Sequence, residues 1–193
     1  MPAENNPLKD TESKRIKALR EYNILDTGPE AGFDDLTTLA SEICGTPIAL
    51  VSLIDADRQF FKSRLGLDVS ETSRKASFCA HAILQPDLMV VPDALADDRF
   101  AANPLVTGNP KIRFYAGSPL FTSDGYGLGT LCVIDTQPRT LTAGQKKALQ
   151  ALARQAMAQL ELRRTLEQMK LEAQRKEKLI AELEETIRPT AKK

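Results

Sequence analysis

FYAGSPLFTSDGYGLGTLCVID, Phe114 to Asp135, is the stretch around which the chain is organised. Two apolar runs flank a short polar loop that holds Asp124-Gly125 and Gly127. Asp-Gly between β-forming runs signals a hairpin, because glycine takes the positive φ that tight turns need. Side chains alternate along a strand, so Phe114, Ala116, Ser118 and Leu120 share one face, and Tyr115, Gly117, Pro119 and Phe121 the other. On the second run Gly129, Leu131 and Val133 oppose Leu128, Thr130, Cys132 and Ile134. Apolar residues on both faces predict a strand pair inside a sheet covered on both sides. Pro119 cannot donate to a ladder, which implies a bulge or an unpaired position nearby.

The whole chain has 193 residues, 42% of them hydrophobic and 27% charged, which suits a globular fold with its own core. Its 26 basic and 26 acidic residues cancel, so nothing favours nucleic acid or an anionic membrane as a partner. No apolar run approaches membrane-spanning length, and MPAENNPLKDTESKR lacks the apolar segment of a signal peptide. Cys44, Cys79 and Cys132 are few and odd in number, reading as reduced thiols of a cytoplasmic protein.

Residues 1–11 are polar and contain proline, and read as a flexible N-terminal arm. Ile16, Leu19 and Tyr22 predict an amphipathic helix over 12–22, with Thr11 as its cap. Phe33, Leu36, Leu39, Ala40 and Ile43 predict a second, stopped by Gly45. Ile48 to Asp55, IALVSLID, reads as a buried central strand, and Gln59 to Arg64 as a more exposed strand pairing back. Residues 66–75 read as polar loop, and Ser77 to Leu84 as a short helix capped by Ser77. Residues 88–91 read as a short strand, 94–100 as loop or short helix, and 103–110 as loop.

From Thr142 the composition favours one long helix, with Thr142 and Gln145 forming a capping box. Leu149, Leu152, Ala153, Ala156, Met157 and Leu160 make one wide apolar stripe, fit to pack on a sheet or helix. The spacing then changes. Leu162, Leu166, Met169, Ala173, Lys176, Ile180, Leu183 and Ile187 alternate steps of four and three, a heptad seam with weak members at Ala173 and Lys176. A single helix cannot bury such a seam, so the expected partner is the same helix of a second copy, in parallel. Residues 161–188 are thus read as a coiled-coil helix and 189–193 as a disordered tail.

In order and spacing, NILDT, ALVSLID, SFCAHAI, VVPDALADDRF, FYAGSPL and LGTLCVID followed by PRTLT together resemble a GAF domain over roughly 12–160. The resemblance implies an α+β fold: an antiparallel sheet of five to six strands flanked by helices, with a ligand pocket on one face. It also implies a sensory role, with a small molecule or chromophore bound and the long helix relaying the signal to an output such as a histidine kinase or nucleotide cyclase.

Pocket candidates are Phe78, Cys79, His81, Asp93, Arg99, Phe100, Phe114, Ser118 and Leu131. Asp93 and Arg99 would orient a polar ligand against an apolar lining; solvated charges on a capped turn are the alternative. Cys79 is the thiol that would attach a bilin in chromophore-bearing relatives, although Ala80 separates it from His81 where those relatives usually place histidine next to cysteine. Three cysteines also resemble the free-methionine sulfoxide reductase branch, which needs a nucleophilic and a resolving thiol. Cys44 ends a helix and Cys132 lies mid-strand, so neither makes a paired motif with Cys79. Asn109, Lys111 and Phe114 match only the first part of a cyclic-nucleotide signature, whose acidic pair is absent. One histidine and no CxxC leave too few ligands for a closed zinc site. The leading expectation is a non-enzymatic sensory module needing no cofactor. A redox enzyme or sensor using Cys79, a bilin photoreceptor and a purely structural dimerisation module are the alternatives.

Overall fold

The computed structural model describes the backbone of residues 7–187 and the side chains of 11–186. The tip of the expected arm, the expected tail and the Ile187 side chain lie outside the described residues. The elements are α1 (Pro7–Glu21), α2 (Ala31–Cys44), β1 (Ile48–Ile54), β2 (Arg58–Leu65), β3 (Glu71–Ser73), α3 (Phe78–Ala82), β4 (Met89–Val91), α4 (Pro104–Thr107), β5 (Phe114–Phe121), β6 (Gly127–Asp135) and α5 (Ala143–Ile187). The strands form one six-stranded sheet in the order β3-β2-β1-β6-β5-β4, with each neighbouring pair antiparallel.

The sheet is covered on both faces, as the hairpin alternation predicts. On one face Phe114, Ala116, Leu131 and Val133 pack with Leu19 of α1, Phe33 and Ala40 of α2, and Leu149, Ala153, Ala156 and Leu160 of α5. On the other, Tyr115, Cys132 and Ile134 pack with Phe78, Cys79 and Ala82 of α3 and with Phe100 and Ile112. All nine residues of β6 are buried. Gly129 is there because no side chain fits: a Cβ would lie 1.8 Å from the Ser52 carbonyl oxygen of β1.

Several expectations are corrected. α1 starts at Pro7, so its first turns fall within the residues read as an arm, and Thr11 is inside the helix rather than capping it. Leu128 joins the helix-side core and not the face of Cys132, because the β5–β6 register shifts between Leu120 and Phe121. Pro119 stays paired with Thr130, beside this bulge, and β4 pairs with β5 only up to Gly117. The polar loop at 66–75 contains β3 and the start of a 3-10 turn. The loop at 103–110 contains α4, whose cap is Asn103, the side chain accepting from the Leu105 amide. The other caps act as predicted. Ser77 Oγ accepts from Ala80, Gly45 ends α2 at φ 63°, and Thr142 and Gln145 bond reciprocally at the start of α5.

β2 is far more buried than expected, and a bulge is the reason. Val51 pairs with Ser63 and Ser52 with Phe61, leaving Lys62 as the extra residue. Lys62 and Ser63 therefore both turn toward the helices. Lys62 has no exposed side-chain surface. Its Nζ donates to Thr27 Oγ1 at 3.0 Å, the Gly28 carbonyl at 2.6 Å and Glu30 Oε1 at 2.6 Å. Ser63 Oγ donates to Asp34 Oδ1 and lies 2.9 Å from Thr37 Oγ1. Arg163 of α5 reaches the same connection: it donates to Glu30 Oε1 at 3.1 Å and to the carbonyls of Tyr22 and Asn23. Tyr22 Oη donates to Glu161 at 2.5 Å, and the Arg164 guanidinium lies over the Tyr22 ring. These contacts fix α5 where it leaves the sheet.

α5 runs unbroken for 45 residues. Its predicted stripe meets the sheet, with Leu149, Ala153, Ala156 and Leu160 buried and Leu152 and Met157 half-buried. Beyond it, Leu162, Leu166, Met169, Ile180 and Leu183 stand 47–61% exposed in the single chain.

Removing the Lys62 side chain deletes three hydrogen bonds from a charged donor and the packing of a fully buried stem. Lys62→Ala is expected to lower unfolding stability by about 2 kcal/mol. Urea denaturation checks it: the midpoint should fall with the slope unchanged.

Candidate functional site

A cavity of about 430 Å³ lies between the sheet and α3, on the face opposite α5. Leu50, Gln59, Phe61, Tyr115 and Ile134 rise from the strands to form its floor. Phe78 and Cys79 enter from α3, and segments 66–69 and 105–112 supply the cover. Period two aims the floor residues the same way, and the Ser77 cap sets the direction of α3. Phe100 stacks behind Phe78, ring centroids 4.0 Å apart, and holds it in place.

Polar groups gather beneath α3. Cys79 Sγ accepts from Tyr115 Oη at 3.3 Å and from Gln59 Nε2 at 3.6 Å, and lies 3.7 Å from Cys132 Sγ. Ser52 Oγ and Thr130 Oγ1 are 3.3 Å apart in the same layer. Burial pushes the Cys79 thiol up, but hydrogen bonds from Cys132, Ser52, Thr130 and Tyr115 outweigh it and hold the thiol below its ordinary value. Cys132 moves the other way, through its hydrogen bond to Cys79 and its own burial. Cys44, at the far side of the sheet, is pushed up to about 11 by burial.

Gln59 has one half of its amide engaged. Its nitrogen faces the sulfur, whereas Oε1 is buried with no hydrogen-bond partner. A buried carbonyl oxygen left unpaired is a costly arrangement unless something else supplies a donor. Charged lining is limited to Asp68, with Thr72 and Asn109 as further polar groups, so among the described residues the cavity has no cationic side chain.

Of the sequence candidates, Phe78 and Cys79 line this cavity and Phe100 supports it. Phe114, Ser118 and Leu131 do not. Phe114 and Leu131 belong to the helix-side core, and Ser118 lines a shallow depression against α5. The three share the face that the alternation sets opposite Tyr115. His81 is exposed, edge-on to Phe100, and burial together with the nearby Arg99 charge lowers its pKa. Arg99 pairs with Asp97 at 2.6 Å and lies over the Phe100 ring, and Asp93 accepts from the Leu95 amide. Asp93, Asp97 and Arg99 thus form a capped surface turn outside the cavity. Sequence reasoning missed Gln59, Phe61, Tyr115 and the covering residues around Leu67 and Leu105. The available signal was slight: Gln59 shares the face of Phe61 by period two, on a strand that is otherwise mostly polar.

The sequence pattern of the GAF domain family matches residues 28–160, more than half of the chain. The chain belongs to the GAF domain family. A cyclic di-GMP phosphodiesterase of Pseudomonas aeruginosa is 43% identical over 155 residues, which are 80% of this chain and 26% of that protein. The chain therefore spans about a quarter of the length of the curated relative it matches. The blue-light-absorbing PixJ GAF domain of Thermosynechococcus elongatus superposes with a TM-score of 0.59 at 16% identity, over 74% of this chain and 90% of that one. Free methionine-R-sulfoxide reductase of Neisseria meningitidis gives 0.58 at 19% identity, over 82% and 89%. At these identities the solved structures establish the GAF fold and nothing finer. Among the described residues of this GAF domain no helix is long and apolar enough to cross a membrane, and no cluster of metal-ligating side chains occurs.

Tyr115→Phe deletes one donor to the Cys79 sulfur and should raise the apparent thiol pKa by about one pH unit, the weight of one hydrogen bond. Ultraviolet titration of thiolate absorbance, referenced to Cys79→Ser, measures this.

Proposed function

We propose that this GAF domain is a sensory module that binds a small molecule in the cavity beneath α3 and relays occupancy through a dimer formed along α5. The observation that carries the reading is the buried, unpartnered Oε1 of Gln59, a residue on the floor of a mostly apolar cavity. A ligand with an N–H or O–H group would complete that bond. With Asp68 as the charged lining residue, the site favours neutral or cationic molecules over phosphates. This counts against a cyclic nucleotide as occupant.

The relay follows from the sheet. β5 and β6 present Tyr115 and Ile134 to the cavity, and Phe114, Ala116 and Val133 to the core that holds α5. A shift of one strand is felt on both faces, because packed cores transmit displacement. The exposed seam of α5 is complementary to itself in a parallel pair. An output joined to α5, such as a histidine kinase or nucleotide cyclase, would then read its rotation or register. The relative's greater length supports a module attached to further domains. Bilin attachment has less support, since Cys79 is 1% exposed and its sulfur faces Tyr115 and Cys132.

A thermal-shift screen tests ligand binding, because a true ligand raises the melting temperature by mass action. Neutral and cationic donors are expected to stabilise the protein and nucleotides to leave it unchanged; Gln59→Leu should abolish the shift. Stabilisation by nucleotides alone would overturn the assignment of ligand class. For the dimer, Leu166→Glu with Ile180→Glu in the full chain should halve the mass measured by light scattering. An unchanged dimer would remove the seam from the relay.

A further inference from the structure

Cys79 and Cys132 differ in one respect that sets their chemistry apart. Cys79 lines the cavity, whereas Cys132, mid-strand on β6, does not. Both are almost wholly buried, at 1% and 0% exposure, and their sulfurs are in van der Waals contact at 3.7 Å. Of the two, Cys79 is therefore the thiol nearer a small solute in the cavity, with the Cys132 sulfur in contact behind it. Tyr115 Oη and Gln59 Nε2 donate toward the same sulfur, an arrangement that favours the anionic, nucleophilic form. Cys44 belongs to the helix-side core and has neither donor nor partner thiol among the described contacts.

We propose that Cys79 and Cys132 form a hydroperoxide-responsive dithiol, with Cys79 the attacking and Cys132 the resolving thiol. The Cys79 thiolate attacks the terminal oxygen of a hydroperoxide. The O–O bond breaks, an alcohol (or water) leaves with a proton, and the sulfur becomes a sulfenic acid. Cys132 then attacks the Cys79 sulfur, an S–S bond forms and the S–O bond breaks. Water leaves, carrying the sulfenic oxygen and the proton from Cys132. In sum, two thiols lose two electrons and two protons, and the hydroperoxide is reduced to alcohol and water. The sulfurs need only close from 3.7 Å to about 2.05 Å. Closure draws α3 onto β6 and takes the acceptor away from Gln59 and Tyr115, so oxidation reshapes the cavity floor. This response is independent of whether a ligand binds there.

The test is hydrogen peroxide added to the reduced, folded full chain, followed by alkylation in denaturant and peptide mass mapping. The expected product lacks two hydrogens per chain and carries one Cys79–Cys132 cross-link. It should form at least about tenfold faster than any oxidation of Cys44, as thiolate character dictates, and be reversed by dithiothreitol. Cys132→Ser should halt at a sulfenic acid on Cys79, trapped by dimedone, and Cys79→Ser should give neither product. If wild-type Cys79 and Cys132 both remain free, if either pairs with Cys44 or with another chain, or if the cross-link forms as readily in urea-unfolded protein, the proposal is overturned. The wild-type mapping decides the matter even where a variant fails to fold.

Discussion

β6 is the strand on which everything else rests. It is buried at every position and paired on both edges, with β1 and β5. Its odd-numbered residues Leu131 and Val133 support the helical layer, while Cys132 and Ile134 face α3 and the cavity region. A strand in this position cannot alternate apolar and polar residues; it must be apolar throughout, as LGTLCVI nearly is. The exceptions are informative. Gly129 stands where β1 comes too close for a side chain. Thr130 and Cys132 contribute to the polar layer under α3.

The two faces do different work. The helix face holds the root of α5, through the Leu149–Leu160 stripe and through Arg163, Glu161 and Arg164 at the α1–α2 connection. Lys62 secures that connection from the sheet side. The opposite face holds a cavity whose lining includes Gln59, with its unpaired carbonyl oxygen, and Cys79, whose thiol is held below its ordinary pKa by the hydrogen bonds around it. Because the same strands serve both faces, a change on one is a change in the support of the other. The long helix rooted there is 45 residues, which at about 1.5 Å each span nearly 70 Å.

Much of this was legible in the sequence. The hairpin faces, the caps at Ser77, Gly45 and Thr142, and the apolar stripe of α5 that ends at Leu160 follow from periodicity and local chemistry, which act over a few residues. Two bulges defeated simple alternation: one turns Lys62 and Ser63 to the helices together, the other moves Leu128 across the sheet. Bulges depend on how two strands meet, and one strand's sequence does not record it. The site was half legible. Phe78 and Cys79 stood out as a capped helix beside the sheet, but Gln59 looked like one more polar residue of an exposed strand. Phe114, Ser118 and Leu131 were placed with the cavity despite an alternation that sets them opposite Tyr115. Asp93 and Arg99 suggested a ligand clamp, and local partners satisfy them instead.

The central claim is that α5 leaves the sheet as a rigid rod and pairs in parallel with a second copy. Spin labels at Gln168→Cys and Glu182→Cys, introduced singly, test it by the dipolar distance between the two copies. Both positions fall at equivalent points of the heptad, two repeats apart. A parallel pair gives short and nearly equal distances at both. One short and one long distance, or no dipolar coupling at either, would contradict it.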